Sequence, residues 1–151
     1  MNFTPTRINI FNFFKLPSVW WCGIRVTKID DISCQVKVIH RWINQNPFKS
    51  MFWAVQGMAA ELTTGVLIME AIQISNRKVS MLVLNNRANF SKKATGKVVF
   101  ECDQKQKLSK AMNQLIMSEE PQKIWLTSKG IDQNGDIVST FEFEWTLLLK
   151  N

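Results

Sequence analysis

The sequence predicts an α+β fold: an antiparallel, curved sheet of five or six strands around one long central helix, with a short extra helix. Three observations carry this. Residues 46–70, NPFKSMFWAVQGMAAELTTGVLIME, read as a loop, a helix start and a helix that is apolar almost all round, which must be buried. The segments on either side alternate apolar and polar residues, the period of half-buried strands. The order is strand–strand, long helix, then strands with a short helix inserted, and it lets each element bury its apolar face against another.

At 151 residues the chain can build one domain with a sizeable core, so residues 1–151 are expected to form a single unit. Cys22, Cys34 and Cys102 form no CxxC pair and leave one over, which fits a reducing cytoplasm better than a disulfide framework. A single histidine, His40, leaves too few ligands for a His/Cys zinc site, and no metal is expected. The net charge of +7 comes from scattered lysines and arginines without a nucleic-acid motif, so no nucleic-acid partner is expected. The one local cluster, Lys92, Lys93, Lys97, Lys105, Lys107 and Lys110, reads as a solvated face.

Residues 1–16 hold a short INIFNFF run interrupted by Asn9 and Asn12, with no small-residue cleavage site behind it. They read as an amphipathic opening helix or turn with Ile8, Phe11 and Phe14 on the buried side. Residues 19–27 (VWWCGIRVT) read as a strand. Residues 32–40 read as its hairpin partner, with Cys34, Val36 and Val38 inward. A loop rich in Asn leads to Ser50, a fair N-cap for the long helix. That helix, roughly 30 Å long at 1.5 Å per residue, has the length of a membrane span, but Glu61 in its middle argues against one.

One stripe of this helix runs Trp53, Gln56, Gly57, Ala60, Glu61, Thr64. It is small and polar, suited to close approach by another backbone, a ligand or a symmetry mate. The opposite stripe, Met51, Val55, Met58, Leu62, Val66 and Met69, is expected to press into the sheet. Gly57 marks close packing, helix against helix across a dimer axis. Beyond the helix, residues 79–90 and 97–102 read as strands joined by the turn SKKATG. Residues 104–117 have helical spacing, and residues 124–129 and 137–149 are strands joined by DQNGD. Five or six strands cannot enclose so apolar a helix alone. A homodimer, or a dimer of dimers, with sheets joined edge to edge is therefore expected.

A buried Glu must be hydrogen-bonded, paired or protonated, and burial raises its pKa towards the range of a general base. The plain structural alternative is that Glu61 only serves a neighbouring amide in the core.

The topology and these residues resemble the hot-dog fold thioesterase superfamily. PaaI-type thioesterases carry an Asn, then after five residues His-Gly-Gly, then an acidic residue seven further on. Here Asn46, Phe52-Trp53-Ala54 and Glu61 stand at the same spacing without a gap. NFSKKATGKVVFE (residues 89–101) resembles the family's strand-turn-strand element. FNFFKLPSVWWCGIRVTKI with NPFKSMFWA is closer to the uncharacterised YiiD C-terminal-like, DUF4442-like branch.

The resemblance implies an acyl-CoA thioesterase with no cofactor, acyl-CoA being the substrate. Glu61 would be the general base, Asn46 would position water or substrate, and the Trp53 or Ala54 amide would polarise the carbonyl. Phe52, Gln56, Gly57, Thr64 and Phe90 would line the substrate, with Lys92 and Lys93 near the CoA phosphates. His-Gly-Gly has become Phe52-Trp53-Ala54, and a Trp there either walls off the site or stacks on an acyl group. The alternative is therefore a non-catalytic dimer that binds acyl-CoA. A dehydratase would need His40 beside the acid, and a strand-end structural role fits His40 better. Nucleic-acid binding rests on charge alone.

Overall fold

The computed structural model describes residues 2–150. Thr4 accepts from the Arg7 N–H and caps α1 (Pro5–Lys15), with Pro5 at the first helical position where its missing N–H costs nothing. Asn9 fastens α1 to the sheet, its amide donating to Val26 O and accepting from the Val26 N–H, both at 2.9 Å. Ile8 and Asn12 face inward, whereas Phe14, expected on the buried side, is 71% exposed. Two residues past Asn12 means about 200° round the helix, so burying Asn12 turns Phe14 outward.

Residues 19–27 do not form one strand. Pro17 opens a short helix, α2 (Pro17–Trp21), Gly23 turns the chain at φ 80°, and β1 (Arg25–Ile29) starts only then. The VWW run favours a pleated surface, but the fixed φ of Pro17 suits a first helical turn and tertiary packing keeps it. The Arg25 guanidinium lies 3.5 Å from the Trp20 ring centre and donates to Trp20 O.

The rest is β2 (Cys34–Ile39), a 3-10 turn (Trp42–Asn44), α3 (Trp53–Ser75), β3 (Val79–Phe90), β4 (Lys97–Cys102), α4 (Lys105–Ser118), β5 (Gln122–Asp132) and β6 (Ile137–Leu149). All six strands form one antiparallel sheet in the order β1-β2-β4-β5-β6-β3. The expected turn between β3 and β4 is instead a crossover, because β3 pairs with β6 at one edge while β4 sits between β2 and β5. Met51 N–H donates to Ala94 O and His40 N–H to Gly96 O, which seats this crossover beside the start of α3.

The long helix is capped by Phe52 with no side-chain hydrogen bond, so Ser50 is not its N-cap. It continues past Glu70 to Ser75 and ends on Asn76, left-handed at φ 53°. By length and composition this helix could cross a membrane, yet here it is the core about which the sheet curls. The small, polar side of the helix meets β5 and β6. Thr63 donates to Ser128 Oγ (2.9 Å), Gln56 Oε1 accepts from Ser139 (2.8 Å), and Thr64 accepts from Trp145 Nε1 (3.1 Å). Gly57 faces the Phe141 ring of the same chain.

Of the opposite stripe, Leu62, Val66 and Met69 line a small cavity with Ile8, Phe11, Leu16 and Met81 of β3, and Met58 lies beside Phe141 and Phe143. Where the sheet carries the buried Phe141 and Trp145, the helix presents Gly57 and Thr64, which leave those rings room. At Gly130 the same crowding is acute, since a Cβ would lie 2.6 Å from Phe100 Cε1.

Candidate functional site

Three cavities surround the N-terminal half of α3. The largest, about 550 Å³, is bounded by the 46–53 loop and the 90–94 crossover. Asn46, Phe52, Trp53, Gln56, Phe90, Lys92 and Lys93 line it. A second, about 310 Å³, is lined by Trp53, Ala54, Gly57, Met58 and Glu61 with Asn86, Phe141 and Phe143 from β3 and β6. A third, about 80 Å³, lies between α1 and α3. Trp53 borders the first two and stands between them, 57% exposed.

Glu61 projects from the middle of α3, and burial raises its carboxyl pKa above the ordinary carboxylate value. No hydrogen bond or ion pair engages that carboxyl among the described residues. Its backbone carbonyl accepts from Thr64 Oγ1 at 2.9 Å. The carboxyl folds towards Gly65, where a Cβ would sit 3.5 Å from Glu61 Oε1. An acid that is desolvated, uncompensated and beside a cavity has the features of a proton acceptor at neutral pH.

The start of α3 supplies donors. With no side chain capping it, the Trp53 and Ala54 N–H groups have no acceptor among the described residues, whereas those of Val55 and Gln56 return to Phe52 O. Two free N–H groups at the positive end of a 23-residue helix can hold an oxyanion.

The other sequence candidates divide. Asn46 does not share a cavity with Glu61 in one chain. Its amide is engaged locally, donating to Ser50 Oγ (2.9 Å) and accepting from Phe48 N–H (2.9 Å), so it shapes the loop. Gln56 is 4% exposed and joins Met51 O to Ser139, and the Thr64 hydroxyl is bound to Trp145. Lys92 is held by Asp132 (2.6 Å) and Asp136 (2.8 Å), while Lys93 is exposed at the cavity rim. His40 lies outside these three cavities, and its Nε2 is buried without a hydrogen-bond partner among the described residues. Asn12, Asn86, Phe141 and Phe143 were not singled out from sequence. Asn12 had one signal, a polar residue breaking an apolar run on the helix face that turns inward.

A six-stranded antiparallel sheet curled about one long helix is the hot-dog fold. The model of a domain of unknown function, DUF4442, matches residues 6–147, and the chain belongs to that family. Among solved structures it is similar to a Pseudomonas aeruginosa protein of unknown function described as a "Probable Thioesterase". The identity is 17%, the TM-score 0.82, and 97% of each chain is covered. A Haemophilus influenzae thioesterase is similar at 12% identity and TM-score 0.73, over 99% of this chain and 93% of that one. A Chlorobaculum tepidum protein of unknown function is similar at 15% identity and TM-score 0.80, over 98% of each. At these identities the likeness is one of fold. No curated protein matches the chain.

Proposed function

We propose that the protein hydrolyses an acyl-CoA thioester, with Glu61 as general base. The observation that carries this reading is the half-buried, unpaired Glu61 carboxyl on a cavity also lined by Trp53 and Ala54 at the open N-terminus of α3. The acyl group lies against Gly57, Met58, Phe141 and Phe143, and its carbonyl oxygen takes the Trp53 and Ala54 N–H groups. Glu61 removes a proton from water, whose oxygen bonds to the carbonyl carbon. The tetrahedral intermediate then breaks its C–S bond, and the thiolate of CoA takes the proton. Lys93, free at the cavity rim, suits a CoA phosphate better than Lys92, which two aspartates already neutralise.

The working form is a homodimer. β3 is a 12-residue strand at the sheet edge, with Leu82 60% and Phe90 48% exposed, and pairing two copies along it removes that edge. Asn86 of β3 lines the Glu61 cavity, so a second copy would border it. Three free cysteines support a cytoplasmic setting.

One observation favours a second reading, a dimer that binds acyl-CoA without turnover: Trp53 stands where the resembling enzymes carry glycine. Thiol release from short, medium, long and aryl acyl-CoAs by wild type, Glu61→Gln and Glu61→Ala separates the two. Turnover that disappears in both folded variants supports hydrolysis. Binding without thiol release supports the second reading.

A further inference from the structure

α1 turns Ile8 and Asn12 inward and a second, apolar stripe the other way. Ile10, Phe13 and Phe14 stand at helical spacing, i, i+3 and i+4, and all three are exposed. Leu16 is exposed as well, and so is Trp21 at the end of α2, to 66%. The Phe13 ring meets the Phe14 ring at 4.9 Å and the Trp20 ring at 5.2 Å, which joins the two helices into one apolar ridge. Asn44 donates to Cys22 O at 3.0 Å and so ties the Trp42–Asn44 turn to the residue after Trp21. That turn shows Trp42, 82% exposed, and Ile43. Single exposed apolar residues are ordinary, but a contiguous patch marks an interaction surface. None of Ile10, Phe13, Phe14, Trp21 or Trp42 lines the three cavities around α3.

Charge identifies what covers it. Residues 1–60 hold seven lysines and arginines and two carboxylates, Asp30 and Asp31. Asp30 is taken by Lys28 at 2.7 Å and by the Ile32 and Ser33 N–H groups. Arg7, Lys15 and Arg41 are exposed and make no ion pair among the described residues. Burial, and then the charge of Arg41, lower the pKa of Arg25, so two guanidiniums lie near each other with no carboxylate paired to either. A second copy docked here about a two-fold axis would set these cations against their equivalents. An anionic bilayer surface neutralises them, while its interface takes the aromatic rings, Trp above all.

We propose that this face, α1 with α2 and the Trp42–Asn44 turn, docks the protein on the surface of an anionic phospholipid bilayer. Phe13, Phe14, Trp21 and Trp42 enter the boundary between headgroups and acyl chains, and Arg7, Lys15 and Arg41 lie among the lipid phosphates. The docking is peripheral, with α3 kept in the core, and it holds whether or not the protein hydrolyses a thioester.

The test is co-sedimentation of the full chain with vesicles of phosphatidylcholine alone and of an equal mixture with phosphatidylglycerol. Wild type is expected to sediment with the mixed vesicles, to bind pure phosphatidylcholine far more weakly, and to dissociate as salt rises. Phe14→Ser with Trp21→Ser is expected to lower partitioning on the order of a hundredfold. Lys15→Gln with Arg41→Gln is expected to lower it roughly thirtyfold. Circular dichroism checks that each variant folds, and the charge pair, on exposed side chains throughout, carries the comparison if the aromatic pair does not. Absence of wild type from the mixed-vesicle pellet overturns the proposal. Equal binding to both vesicles, or unchanged partitioning in either folded variant, overturns it too. Light scattering covers the rival occupant: if wild type ignores both vesicles and the aromatic pair halves its mass, the face joins two copies and the lipid assignment falls.

Discussion

In the proposed reaction Glu61 concentrates the chemistry in one proton. Burial raises its pKa in the folded protein above its value in the unfolded chain, so the folded state binds that proton more tightly. Its contribution to stability is full below the ordinary carboxylate pKa, about 4.3, and is lost as pH rises through the raised value. Glu61→Gln removes the loss. The variant is expected to be more stable than wild type at about pH 8 and equal to it below about pH 4, read from urea midpoints at both pH values. Thiol release by wild type should rise across the same window, because the base must be deprotonated to act. Gly65 makes the complementary point. Ala there gains about 1 kcal/mol in helix propensity, and its Cβ would meet Glu61 Oε1 at 3.5 Å and Trp145 Cη2 at 3.8 Å, both ordinary contacts. Gly65→Ala is expected to raise Tm while slowing thiol release, since it fills space beside the carboxyl.

The elements hold the site through a few specific contacts. Gly130 pairs with Phe100 across β4 and β5, and the ring covers the bare backbone. Gly130→Ala places a methyl inside that ring and is expected to cost about 1–3 kcal/mol. A lowered urea midpoint, partly recovered by adding Phe100→Leu, checks it. The first helix depends on Asn9, whose amide bonds both the N–H and the C=O of residue Val26 at 2.9 Å, on edge strand β1. Asn9→Ala leaves both groups unpaired and is expected to cost about 1–3 kcal/mol. Limited proteolysis should then cut near α1 sooner than in wild type. Loss of thiol release in the same variant would tie α1 to the site, because α1 forms one wall of the small cavity on which Glu61 lies.

At the scale of the whole molecule, the sheet has two edges and they differ. β1 is five residues long and is covered at Val26 by Asn9, whereas β3 is twelve residues long with Leu82 and Leu84 exposed. A long apolar edge pairs with another strand when one is available. Light scattering is expected to give wild type about twice the 17.5 kDa chain mass, and Leu82→Glu with Leu84→Glu the chain mass itself. A monomeric wild type would refute the dimer. Because Asn86 on β3 lines the Glu61 cavity, the split variant is also expected to lose thiol release.

The sequence by itself determined the class of fold and the position of the acid. A helix apolar all round has one stable place, inside, and period-two strands have one buried face; both are local rules that survive folding. β3 and β6 therefore fall at the residues expected, and Glu61 lies on the core helix. Tertiary structure alone decided which faces meet. The helix presents Gly57 and Thr64 where the sheet carries Phe141 and Trp145, and no pattern within the helix carries that information. It also decided that residues 91–96 cross over the start of α3, since strand neighbours are chosen by the whole sheet and not by sequence order. Pro17 and Gly23 overrode the strand preference of VWW, and the depth of Asn12 depended on how α1 docks. A buried amide looks like any polar interruption until the surface that buries it is in place.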